Sequence, residues 1–382
     1  MANTLLTPTI IAREALVRLE STQVMGGLVH TEYSKEFKQV GDTITVRKPA
    51  VFTADEFSTT ISAQNVTEAS VSVTLDIHAD VSVEITTKEL SLDIVDFGAQ
   101  VIDGAVIAIN ELVDQKLCAL YKDVFAFTGA SGTTPSALSD ITDPMKVLNI
   151  AKVPMAQRRI VFDPISQAEL LQLDSLVEVD KSGWNQGLRN ANMGRVMGFD
   201  TYMDQNVTTH TAGDYTALTD LTSNGIQAVG ATTFNIESAA GTSTDTVLEG
   251  DIFTIETGSA AGQYVVTADS AAAVAGAVTV SIYPALRGAT ADTDTVAFAD
   301  ETAGAHIPSL AFHRNAFALV SAPLAVPLGA TNASAYTAQL PNGLSMRVVM
   351  GYDNDSKKNL ISFDCLFGVK TLYPELACRI LG

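Results

Sequence analysis

Five histidines (His30, His78, His210, His306, His313) and three cysteines (Cys118, Cys365, Cys378) are the side chains best suited to bind a metal or move a proton. A zinc or acid–base site made from them would need ligands brought together by spacing, as in a CxxC pair or an HExxH turn. None stands at such a spacing. His313 is followed by Arg314 in a strand-like run and reads as a structural pair. An odd cysteine count without CxxC fits a reducing compartment and buried thiols. Asp292 and Asp294 resemble the start of a calcium loop whose remaining ligands are missing, so they read as a solvated turn. The glycine-rich stretch from Gly183 to Arg189 and from Gly194 to Asp200 follows no phosphate-cradling spacing and reads as turns between short elements. There is no nucleophile elbow, and among 43 acidic residues nothing selects one pair as a general acid and base. No enzyme, cofactor or metal site is expected.

The polar residues with a positional logic are instead contact residues. Arg47, Lys48, Asp55 and Glu56 fall near the tip of a two-stranded pattern that rises through Thr43–Arg47 and turns over Pro49–Gln64. It returns along Val71, Val73, Leu75, Ile77, Ala79, Val81, Val83 and Ile85, with polar residues between them. At ~3.3 Å per residue, one strand over that span would run roughly 50 Å. Each apolar side chain would gain at most about 1.5–3 kcal/mol on burial. A lone hairpin cannot cover such a row. A neighbouring copy of the chain is therefore expected to cover it, with Arg47, Lys48, Asp55, Glu56, Val71, Val73, Leu75, Ile77, Val81 and Val83 as inter-subunit contacts.

Other elements must hold this arm. Thr7-Pro8 opens a short helix to about Glu20, an N-terminal arm whose Ile11, Arg13 and Arg18 are expected to make contacts elsewhere. Thr86 and Glu89 form a capping box. Helical spacing then runs from Ile94 to Val124, about 50 Å at ~1.5 Å rise, as a spine for the subunit. Arg159–Phe162 reads as a buried strand, and Asp163-Pro164 as the cap of the next helix. Composition shifts near His210. From Thr211 to Ala305 there are twelve acidic residues and one basic residue, Arg287. Short alternating runs at Asp251–Ile255, Tyr264–Val266 and Val278–Ile282 predict a small inserted all-β domain. Strands resume at Leu310–His313 and Met346–Met350, and Ile361–Val369 alternates again.

The chain has 382 residues, net charge −20 and only 17% charged residues. The length suggests two or three domains. So small a charged fraction points to surface buried between subunits. The acidic balance argues against binding driven by phosphate contacts and against anionic membranes. No run approaches the ~18 apolar residues of a membrane helix. The first twenty residues are not read as a secretion signal.

The order of parts resembles the major capsid proteins of tailed phages with the HK97-like fold, and within them the coat subgroup of short-tailed phages with an inserted β-domain. The residues carrying the likeness are Leu5-Leu6-Thr7-Pro8, the Ile85–Leu92 junction, Val161-Phe162-Asp163-Pro164, Gly198-Phe199-Asp200, Phe312 to Phe317, and Tyr373-Pro374-Glu375. The resemblance implies an α+β chain divided as follows: an N-terminal arm (1–41), an extended loop or E-loop hairpin (42–87), a spine helix of the peripheral domain (88–125), an axial domain (126–209 with 306–363), the acidic β-insert (210–305), and a C-terminal return (364–382). It implies self-assembly as pentamers and hexamers of an icosahedral virion shell, in the host cytoplasm, around double-stranded DNA held without sequence-specific binding. A separate scaffolding protein, a portal and a decoration protein are the implied partners. An encapsulin-like bacterial compartment shell is the alternative on the same fold. A β-rich adhesin or tail component is a third reading, against which the spine helix argues.

Overall fold

The computed structural model describes residues 23–35, 43–48, 54, 56, 70–86, 102–183, 186–213, 220–238, 246–274, 276–299, 305–325, 333–339 and 344–382. The expected arm helix with Ile11, Arg13 and Arg18, the tip residue Asp55, and the first part of the expected spine helix lie outside these residues. The described chain divides into two compact units. One takes its residues from His30–Leu112 and Ala318–Leu372, the other from Gln23–Val29, Val113–Phe317 and Tyr373–Gly382.

In the first unit, strands Thr43–Arg47 and Ser70–Thr74 pair antiparallel, Thr43 opposite Thr74 and Arg47 opposite Ser70. The strand Ile77–Thr86 does not extend that ribbon. It pairs antiparallel with Lys358–Thr371, from Ile77 opposite Phe367 to Thr86 opposite Lys358. The single strand expected over 71–85 is therefore two strands, broken at Leu75 and Asp76, and the two-stranded arm ends at Thr74. Alternation reports which side chains share a face and is blind to which partner each half takes. Val81, Val83 and Ile77 sit beside Phe363, Ile361 and Phe367, so two alternating runs merge into one apolar face. Where the chain changes partners, it crosses Gly368, whose added Cβ would lie 2.0 Å from the Thr74 carbonyl oxygen. Only glycine fits there.

The strand Lys358–Thr371 also pairs with Ser345–Asp353, which pairs with Ala333–Gln339. These ladders correct the expected boundary at 363. They draw 318–372 into the unit of the 77–86 strand and leave 373–382 to the other unit.

The second unit centres on a six-stranded mixed sheet, ordered Phe127–Thr128, Ala377–Ile380, Ser309–His313, Arg158–Phe162, Phe199–Met203, Arg195–Val196. Ile160, Phe162, Phe199, Ala311, Cys378 and Ile380 meet Ile141 and Leu148 of helix Ser139–Ile150 and Leu170 of helix Pro164–Leu170. The second of these helices starts as the sequence suggests: the Asp163 carboxylate accepts the N–H of Ile165 at 2.9 Å and of Ser166 at 3.1 Å. The long helix is described over Asp103–Cys118 and continues as a 3-10 turn, Ala119–Asp123.

His210–Thr211 pairs with Ala305–His306, so the chain enters and leaves the acidic segment side by side. Between them lies a six-stranded antiparallel sheet, ordered Val296–Phe298, Ile252–Ile255, Gly262–Ala268, Ala277–Tyr283, Thr233–Glu237, Thr222–Ser223. Its core is its own: the Phe253 ring lies 5.7, 5.6 and 5.5 Å from those of Phe234, Tyr264 and Phe298.

Candidate functional site

The strand Ala377–Ile380 is buried on both faces. Cys378 and Ile380 meet the helices, so the two-residue period sends Arg379 to the opposite face, where the acidic segment lies. The guanidinium is fully buried; it donates to Gly250 O at 2.7 Å and Lys122 O at 3.2 Å, and stands 5.1 Å from the Tyr121 ring. The 3-10 turn after the long helix supplies Tyr121, whose hydroxyl lies 3.0 Å from His210 Nδ1. His210 Nε2 lies 2.9 Å from Asp251 Oδ1, and Asp251 Oδ2 accepts the N–H of Leu248 at 2.7 Å and of Gly213 at 3.1 Å. The rings of His210 and His306 are 5.1 Å apart.

A carboxylate, an imidazole and a hydroxyl in series have the composition of a proton relay, in which the carboxylate orients the imidazole as a base. Here both ring nitrogens are engaged within the fold and His210 is 2% exposed. The arrangement is a brace. A second contact supports it. Gln263 accepts the Phe127 N–H at 3.2 Å and donates to Phe127 O at 2.9 Å, standing in for a missing strand beside Phe127–Thr128. Ile252 and Val265 pack on Leu381, and the Tyr283 hydroxyl donates to the Glu375 carboxylate. Burial first, and then that carboxylate, raise the Tyr283 pKa.

The thiols are equally unreactive. Burial pushes Cys365 and Cys378 up to about 12 and raises Cys118 as well, so none is a thiolate near neutral pH. Asp292 and Asp294 staple a turn, accepting the N–H of Gly225 at 2.6 Å and of Ala291 at 2.8 Å.

The expected contact residues separate. Val73 and Leu75 are fully buried within the chain and have no surface to give a neighbour, which corrects their assignment. Val71, Ile77, Val81 and Val83 are half-buried, Lys48 likewise, and Arg47 and Glu56 are exposed. On the opposite side of the 77–86 strand, Asp80 faces Asp364, which faces Arg347. Arg347 Nε donates to Asp364 at 2.9 Å, and Asp80 accepts from Ser362 at 2.9 Å and Ser82 at 3.0 Å. Burial, then the Asp80 hydrogen bond, raise the Asp364 pKa; burial also acts upward on Asp80, but the Asp364, Ser362 and Ser82 hydrogen bonds outweigh it and hold Asp80 low.

Sequence reasoning did not single out Tyr121, Asp251 or Arg379. The one signal was an arginine inside the otherwise apolar run Ala377–Leu381.

No protein-family model matches the chain, and no curated protein does. Among solved structures it matches a chain from Mycobacterium phage Che8 with a TM-score of 0.53 and 14% identity, covering 94% of this chain and 90% of that one. A chain of the capsid of cyanophage P-SCSP1u matches with TM-score 0.47, 10% identity and coverage of 90% and 84%. A chain of the virus-like particle from Pyrococcus furiosus matches with TM-score 0.41, 10% identity and coverage of 97% and 97%. The first likeness shows a fold shared with a phage protein along nearly the whole chain.

Proposed function

We propose that this chain is the major capsid protein of a tailed phage, a structural subunit that assembles with copies of itself into an icosahedral head enclosing double-stranded DNA. The observation that carries the reading is the fold shared with the phage Che8 chain over 94% of the residues. The unreactive thiols and the histidine engaged at both ring nitrogens support a structural role. So does the apolar surface left at Ile77, Val81 and Val83, and at Leu188, which is 81% exposed.

In this reading Arg47, Lys48, Asp55, Glu56, Val71, Ile77, Val81 and Val83 meet neighbouring subunits, and the arm with Ile11, Arg13 and Arg18 docks on another copy. Residues 210–305 are an inserted domain, held to the body by Arg379, by the contacts of His210 and by Gln263. Pentamers and hexamers form the lattice, with a scaffolding protein, a portal and a decoration protein as partners. The acidic balance keeps the lumen from adhering to DNA; a gel shift of duplex DNA by purified subunits at physiological salt would count against that.

Electron microscopy of the chain, expressed alone and with the proteins encoded beside it, tests the reading. Closed icosahedral shells are expected. Elongated trimers would overturn it in favour of an adhesin or tail component. Shells that co-purify with an enclosed enzyme in place of DNA would make it a compartment protein.

A further inference from the structure

We propose that Asp114 and Asp204 form a pH-set latch that holds the strap Gln23–Val29 on the body of its unit and loosens it as pH rises from acid through neutrality. Asp114 sits on the long helix and is fully buried, as is Asp204 just past the strand Phe199–Met203. The Val24 N–H donates to Asp114 Oδ2 at 3.1 Å, and the N–H groups of Met25 and Gly26 also act on this carboxylate. At the strap's other end the Arg159 guanidinium donates to Leu28 O. Met25, Leu28 and Val29 are buried along the way, so the strap packs at both ends and through its middle.

A carboxylate so deeply placed normally meets a cation. Asp114 does not. Among the described residues, the charged or titratable groups acting on it and its partner are each other and the Cys118 thiol, whose sulfur lies 4.0 Å from Asp204 Oδ2. The strap presents backbone N–H groups there, and Arg159 is engaged at Leu28. Asp204 is held by the Asn206 N–H at 2.8 Å. Asp114 Oδ1 is buried with no hydrogen-bond partner, so an ionised carboxylate would have no donor to stabilise its charge at that oxygen. Burial, and then the nearby Asp204, push Asp114 up to about 7, against the strap's Val24, Gly26 and Met25 N–H groups, which favour its charged form; burial also raises Asp204, and the Cys118 thiol is raised and so stays uncharged.

The sign follows. With the strap down, Asp114 binds its proton more tightly than an ordinary aspartate near 4. Strap closure therefore has its full stability below about pH 4 and weakens progressively as pH rises through about 7. Between pH 6 and pH 8 the strap's opening equilibrium should rise by up to about tenfold, the ratio set by a closed-state value near 7 against an open-state value near 4.

Hydrogen exchange of the full chain at pH 6, 7 and 8, corrected for the intrinsic rate at each pH, reads this directly. Amides 24–29 should lose up to about tenfold in protection between pH 6 and 8, while those of Thr233–Glu237 should not follow. In Asp114→Asn, isosteric with the protonated acid, strap protection should be flat with pH. In Asp204→Asn the loss should persist with its midpoint moved to lower pH. Equal strap protection at pH 6 and 8 in the unmodified chain overturns the latch. So does an undiminished loss in Asp114→Asn or, should that variant not fold, an unmoved midpoint in Asp204→Asn.

Discussion

The acidic sheet and the 77–86 strand are written with the same alternation and end in opposite conditions. In the acidic sheet, Phe234 and Ile236 on one strand and Val278, Val280 and Ile282 on its neighbour are buried by side chains of the same segment. In the 77–86 strand only Ala79 and Ile85 are buried, while Ile77, Val81 and Val83 stay half-exposed although their lateral neighbour supplies a matching apolar row. The pattern dictates which face is apolar; it is silent on what covers that face. A sheet with its own aromatic core is finished by itself. A strand whose inward residues are half covered has room for another molecule.

That contrast can be broken most sharply at the open face. Val81→Asp with Val83→Asp should abolish closed shells under the electron microscope, because full burial of an unpaired charge at an interface costs about 3–5 kcal/mol each. The free subunit should keep its circular dichroism, since both side chains already touch solvent. Normal shells from the double variant would mean that this face is not where subunits meet. The closed sheet should respond the other way. Phe253→Ala should cost about 3–5 kcal/mol through the cavity it leaves. Hydrogen-exchange protection should fall across 233–298 yet persist at Arg158–Phe162. A uniform loss over both sheets would show that the acidic segment has no independent stability.

The junction offers a smaller effect. Arg379→Met keeps the buried volume but strands the carbonyls of Gly250 and Lys122, each worth about 1–3 kcal/mol when left unsatisfied. The variant should lower the denaturant midpoint and split unfolding into two phases, the segment leaving its seat first. A single unshifted transition would remove Arg379 from the brace.

Much of this architecture was legible beforehand because it is local. The cap at Asp163, the strand before it, the short runs of the acidic segment and the burial of all three thiols follow from adjacent residues. What escaped depends on distant partners. Nothing near Leu75 announces that the chain leaves one ladder for another, since the parity of apolar positions is unbroken through residue 85. The boundary placed at 363 failed for the same reason: Lys358–Thr371 is held by pairing with residues nearly three hundred positions away. The brace needed Tyr121, His210, Asp251 and Arg379 together, and no spacing rule joins positions so far apart. His210 alone was visible, as an isolated histidine.

The mildest prediction concerns a device that depends on no partner. Asp163→Ala removes the acceptor for the Ile165 and Ser166 N–H groups and should cost about 1 kcal/mol, the usual worth of such a cap. Asp163 Oδ1 also accepts from Ser309 Oγ at 3.2 Å, so Ser309→Ala should lose a part of that figure and the double variant less than the sum. Urea midpoints should shift with an unchanged slope. Because this helix start lies wholly inside one unit, the loss should be the same in free subunits and in assembled particles. The damage from Val81→Asp should register only on assembly. If the cap variant instead weakened particles more than subunits, the division between finished and unfinished faces would have to be redrawn to place the Pro164–Leu170 helix at an interface.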